Sequence, residues 1–195
     1  MAVNYEFDKK RFEAFIDAIF AIVLTILVLE IRVPEEHSEQ ASTQQQVWSL
    51  LPHFISYLAS FMLIVGVWID YHLLFVNIST ISKRFILLNM LFILSISLAP
   101  FVTAFAGRHY HDAFAVALLG TTYFIMNLFL SFIFMYAKNK QLTDPALWPE
   151  NKRTANYSIF GVFAILLTIP LAYVNTYISF AIFLVIFGVH LIKRR

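Results

Sequence analysis

Cysteine is absent from this chain, which rules out disulfides, thiol catalysis and thiolate metal sites. Glycine is limited to five scattered residues, so there is no Gly-rich phosphate loop and no TVGYG-type potassium filter. Charge is scarce as well: 13% of 195 residues, against 60% hydrophobic ones and a mean hydropathy of +0.75. A soluble globular domain has about twice that share of charge. What remains is an integral membrane protein of several spans with short loops, and no room for a further soluble domain of ordinary size.

The hydrophobic runs predict an all-α fold with six transmembrane helices over approximately 11–31, 47–75, 84–105, 113–136, 156–173 and 177–192, forming one domain over 1–195. Polar or proline-containing segments separate them, among them Arg32–Gln46 and Lys138–Arg153. The first run is too long for a signal peptide and leads into Glu30, Arg32 and Pro34 rather than a small-residue cleavage site. It is therefore expected to stay in the mature protein.

Six spans put both termini on one side. On that side the pattern collects every one of the 14 basic residues except Arg32 and Arg108. By the positive-inside rule both ends are cytoplasmic, in a multi-pass protein of the cell membrane. The opposite face carries Glu30, Glu35, Glu36, Glu39 and Asp112 against those two arginines. Such a surface either concentrates cations near a pore mouth or simply keeps the loops solvated.

The first span organises the rest. On a helical wheel Ala18, Ile22, Thr25 and Leu29 fall within about 60° of one another, a narrow stripe suited to lining a passage. The same stripe is equally suited to packing, with Thr25 bonded to its own backbone. Asp17 lies about 120° round from Leu29. A carboxylate in hydrocarbon costs about 2.5–3.5 kcal/mol on insertion scales, so Asp17 is expected to face protein or water. With alternating span directions, Arg11, Asp17, His72 and Asn89 reach one layer near the cytoplasmic side. There each offers what another needs, and a structural role is preferred over a proton relay. Trp68, Tyr71 and Phe75 beside them suit an interfacial belt or packing.

Other chemistry has little support. His109 and His111 with Asp112 are a poor metal site, an i, i+2 pair in a loop. The basic clusters are explained by topology, so no nucleic-acid partner is expected. No nucleophile, base and orienter arrangement marks an enzyme, and no cofactor is implied.

RFEAFID at Arg11–Asp17, followed by AIFAIVLTILVLEI, resembles the R-x-x-x-F-S-D signature that opens the first helix of the potassium channel family whose animal members reside in endosomes and lysosomes. The likeness continues in YLASFMLIVGVWIDYHLLF (Tyr57–Phe75) and LLNMLFILSISLAPF (Leu87–Phe101), and covers the last three spans only in length and pattern. The resemblance implies a six-helix repeat unlike the usual potassium-channel fold, here as a single-repeat prokaryotic member assembling as a homotetramer. It implies a pore for K⁺ and other monovalent cations, lined by the first helix. The constriction falls at Ile22, with Thr25 and Leu29 on the next turns and Ala18 also lining the passage. It further implies that Arg11, Asp17, His72 and Asn89 form a structural polar network. The motif serine is replaced by Ile16, which removes one hydrogen-bonding group from that network.

A ring of Ile side chains offers no oxygen to replace lost water, so it favours the ion that sheds hydration most cheaply. A modest preference for K⁺ over Na⁺ is the expected outcome. The alternative is a secondary transporter or proton pathway using Asp17, Asp70 and His72, although paired Gly/Pro-broken helices are not evident.

Overall fold

A computed structural model describes residues 8–31, 42–143 and 152–192, with side chains in the last block described at 162–186 and 188. Eight helices are present among the described residues: α1 (Lys9–Leu29), α2 (Thr43–Ser49), α3 (Leu51–Asn77), α4 (Lys83–Ser97), α5 (Ala99–Arg108), α6 (Ala113–Asn139), α7 (Lys152–Val174) and α8 (Thr176–Ile192). The α2–α3 pair forms one apolar span broken at Leu50, and α4–α5 forms another broken at Leu98. Each break precedes a proline, Pro52 or Pro100, at the start of the next helix. A proline ring cannot donate to the preceding turn, so the helix restarts there. Among the described residues four helical spans are long and apolar enough to cross a membrane, Lys9–Leu29, Thr43–Asn77, Lys83–Arg108 and Ala113–Asn139. Two shorter apolar stretches follow, Val162–Val174 and Thr176–Ile186.

Helix starts are set by side-chain caps. The Asp8 carboxylate accepts from the Lys10 amide at 2.9 Å, Asp112 accepts from Phe114, and Asn175 accepts from Tyr177 and Ile178 where α7 hands over to α8. Ser42 and Gln45 form a capping box, so residues 43–46, read from sequence as loop, begin α2. Glu35, Glu36 and Glu39, and the terminal Lys193, Arg194 and Arg195, lie outside the described residues.

In lipid, apolar burial alone does not drive helices together; close packing and interhelical hydrogen bonds do. The α3–α5 seam uses both. Small residues Ser56, Ala59 and Ser60 face Ala99, Thr103, Ala106 and Gly107, all buried. Ser56 donates to the Thr103 carbonyl at 3.0 Å, and the Thr103 hydroxyl lies 2.7 Å from both Ser60 Oγ and the Ala99 carbonyl. Where α6 meets α7, Gly120 sits so close that a Cβ there would come within 2.7 Å of Thr168 Oγ1.

Helix α1 buries Ile16, Phe20, Val23 and Leu27, one face at helical spacing. It runs antiparallel to α3, with Phe12 against Phe75 near one end and Leu27 beside His53 at the other. Phe20, Tyr71 and Phe92 form a cluster with ring centroids 5.4–6.1 Å apart. Ile16, which stands where the motif has serine, is fully buried in this core.

Candidate functional site: the free face of α1

Opposite its buried face, α1 leaves Ala18, Ile22, Thr25 and Leu29 exposed on the chain. Ile22 is 55% exposed and Leu29 70%. The Thr25 hydroxyl donates to its own helix, 2.8 Å from the Ile22 carbonyl and 3.0 Å from that of Ala21. Its proton is thereby held against the helix, while the oxygen's remaining lone-pair capacity is uncommitted.

Ile22 also borders a groove of about 750 Å³ between α1 and α5. Ile19 and Ile26 line it from α1, and Phe101 and Phe105 from α5. Glu30, Arg108 and His109 stand at its far end, the only ionisable groups among the described residues that line it.

The polar residues expected in one layer are divided between two pairs, each completed by an aromatic residue of α3. Asp17 accepts from the Trp68 indole at 3.0 Å, and His72 stacks on Trp68 with centroids 5.6 Å apart. Asn89 is fully buried; it accepts from the Tyr71 hydroxyl at 2.6 Å and donates to the Phe85 carbonyl at 2.7 Å. Arg11 and His72 are exposed. The structure therefore brings Asp17 and His72 to the same indole, brings Asn89 to Tyr71, and leaves the Arg11 side chain at the surface. From sequence, Trp68 and Tyr71 suit an interfacial belt or packing, and neither is singled out as a hydrogen-bond partner. Their spacing of three, which puts both on the α3 face toward α1 and α4, was the available signal.

Near the other end, His111 Nδ1 lies 3.2 Å from the Tyr177 hydroxyl, and His109 packs on Phe105 with centroids 4.8 Å apart. These two histidines thus have separate aromatic neighbours. Among the described residues no group of three or more His, Cys, Asp or Glu could hold a metal ion.

Comparison with known proteins places this geometry. Residues 11–100 match the family model of the endosomal/lysosomal potassium channel TMEM175. A potassium channel of Streptomyces collinus is 25% identical over 184 residues, covering 89% of this chain and 87% of the relative. One from a Chryseobacterium species is 35% identical over 112 residues, covering 57% of this chain and 56% of the relative. The crystal structure of a lysosomal potassium-selective channel TMEM175 homolog from Chamaesiphon minutus superimposes with a TM-score of 0.83 at 22% identity. That superposition covers 95% of this chain and 97% of the other. At that identity the likeness speaks for the fold alone. The chain is thus similar to the TMEM175 family in sequence over residues 11–100, and to a TMEM175 homolog in fold over 95% of its length.

Proposed function

We propose that this protein is a potassium-preferring cation channel, in which four copies enclose a pore lined by α1. One observation carries the reading. Ala18, Ile22, Thr25 and Leu29 run down the middle of the face that α1 leaves free, flanked by exposed Ala14, Phe15, Ala21, Ile26 and Val28, while the same helix commits Ile16, Phe20, Val23 and Leu27 to the core. Four such faces around an axis make rings of Ile22, Thr25 and Leu29 spanning about 10 Å of passage. Ile22 is the constriction. Its ring holds ions back by dewetting when narrow, and when wider passes the cation with the smaller dehydration cost, K⁺ before Na⁺. Thr25 supplies lone pairs between two apolar rings. Relatives bearing the name potassium channel support the same ion.

The whole chain acts as one six-helix channel domain in the cell membrane, with both termini cytoplasmic by the distribution of basic residues. Asp17, His72, Asn89 and Arg11 serve structure near the cytoplasmic end of α1. The engagement of Asp17 by Trp68 and of Asn89 by Tyr71 supports that role over a relay. Proton passage is the second reading, favoured by animal relatives named endosomal/lysosomal proton channels, one of them from Bos taurus, 35% identical over 91 residues.

Reversal potentials of the purified protein in bilayers, under opposed K⁺ and Na⁺ gradients and then under a pH gradient, decide between these. The channel reading expects the potential to follow K⁺. Equal K⁺ and Na⁺ permeability would remove the selectivity, and a potential that follows only pH would favour the proton pathway. The mass of the detergent-solubilised complex is expected at four times the 22.5 kDa chain.

A further inference from the structure

The Glu30 end of α1 meets α3 and α5 around a small cavity of about 10 Å³, walled by Leu27, Glu30, His53, Tyr57, Thr103 and Ala104. That is room for one water molecule. Nδ1 of His53 is buried and has no hydrogen-bond partner among the described residues. A buried ring nitrogen of this kind calls for a partner. Thr103 does not supply a donor, because its hydroxyl is committed to the α3–α5 seam at Ser60 and Ala99. Gly107 brings α5 in close: a Cβ at that position would stand 3.2 Å from His53 Cα. Glu30 is shared by this cavity and by the larger groove that borders Ile22.

We infer that one water binds here, donating one proton to Nδ1 of neutral His53 and the other to the Glu30 carboxylate. The link positions the end of α1 against α3 and α5. Both ends of the water are satisfied: imidazole nitrogen and carboxylate are acceptors, and the water carries two donors. His53 and Glu30 are positioning residues for α1. For its effect on ion flow the inference rests on the channel reading, since Glu30 stands two turns beyond Ile22 on the pore-lining helix.

The test uses full-length protein in lipid nanodiscs at about pH 8, where an ordinary histidine is neutral, with ¹⁵N-labelled histidine. The His53 signals are assigned by their loss in His53→Asn. The expected result is an Nε2-protonated ring whose Nδ1 resonance lies in the hydrogen-bonded range. That resonance should move in Glu30→Met and stay close to wild type in Glu30→Gln, which keeps an acceptor. In parallel, the melting-temperature losses of His53→Leu and Glu30→Met should be clearly less than additive in the double variant. An unmoved Nδ1 signal in Glu30→Met together with additive losses overturns the link. Should His53→Leu fail to fold, the spectra of Glu30→Met and Glu30→Gln decide alone. Absent K⁺ currents with the coupling intact would remove the channel reading and leave this one standing; normal currents with uncoupled residues would do the reverse.

Discussion

The indole nitrogen of Trp68 donates to Asp17 Oδ1 at 3.0 Å, joining residues 51 positions apart on two antiparallel helices. This bond gives the one carboxylate well inside the first span a fixed partner, and it ties α1 to the bundle on the side away from the free face. A hydrogen bond to an ionised group is worth about 1.5–3 kcal/mol. Trp68→Phe is therefore expected to lower stability by about that amount, and Asp17→Asn by less, because the amide oxygen still accepts. Equilibrium unfolding in mixed micelles checks this. A Trp68→Phe loss that simply adds to that of Asp17→Ala would mean the two side chains act separately.

Tyr71 and Asn89 form the second pair, deeper in the bundle, both essentially closed to solvent. Removing the hydroxyl in Tyr71→Phe leaves the Asn89 carbonyl oxygen without its donor, at an expected cost of about 1–3 kcal/mol. Replacing both partners, as in Tyr71→Phe with Asn89→Leu, should recover part of the loss despite being the larger change. Thermal melts of the three variants suffice, and a double variant worse than the sum of the singles would contradict the pairing.

Two glycines on neighbouring helices should respond in opposite ways to the same substitution. Gly120→Ala places a Cβ 2.7 Å from Thr168 Oγ1 and 3.3 Å from Ile169 Cγ1, forcing α6 and α7 apart at an expected cost of about 1–3 kcal/mol. Gly188→Ala meets nothing within 4 Å among the described residues, and the added helix propensity should stabilise by up to about 1 kcal/mol. Melting temperatures measured side by side report the contrast.

Placing the motif serine at position 16 is expected to harm the fold. Ile16 is fully buried, so Ile16→Ser removes packed methyl groups and introduces a hydroxyl, an expected loss of about 2–4 kcal/mol. A stability at or above the parent would show that a polar partner waits for the serine.

At the proposed constriction, Ile22→Asn exchanges an apolar ring for amides. The expected outcome is a larger single-channel conductance, with a reversal potential shifted toward equal K⁺ and Na⁺ permeability. An unchanged current would place the constriction elsewhere. Expression and melting should stay close to the parent, because more than half of the Ile22 side chain is outside the chain's own core.

Much of this molecule is legible in its sequence. Membrane residence and the helical class follow from scarce charge and long apolar runs, because a backbone in hydrocarbon must satisfy its own hydrogen bonds. Helical periodicity alone also places Ala18, Ile22, Thr25 and Leu29 on one line, but that this line is exposed on the chain and not packed is seen only in the structure. The breaks at Leu50 and Leu98 are less legible: both prolines are visible, but whether a proline is absorbed or restarts the helix depends on the packing around it. The partners of the polar residues were legible only as a depth. Arg11, Asp17, His72 and Asn89 were expected to find one another, yet Trp68 and Tyr71 took the available carboxylate and amide. Sequence fixes the height of a side chain along a helix, whereas rotation and tilt between helices decide which donors meet which acceptors. For the same reason the cavity joining Glu30 to His53 and Thr103 belongs to the tertiary structure alone. It exists because three helices distant in the chain converge where Gly107 lets α5 come close.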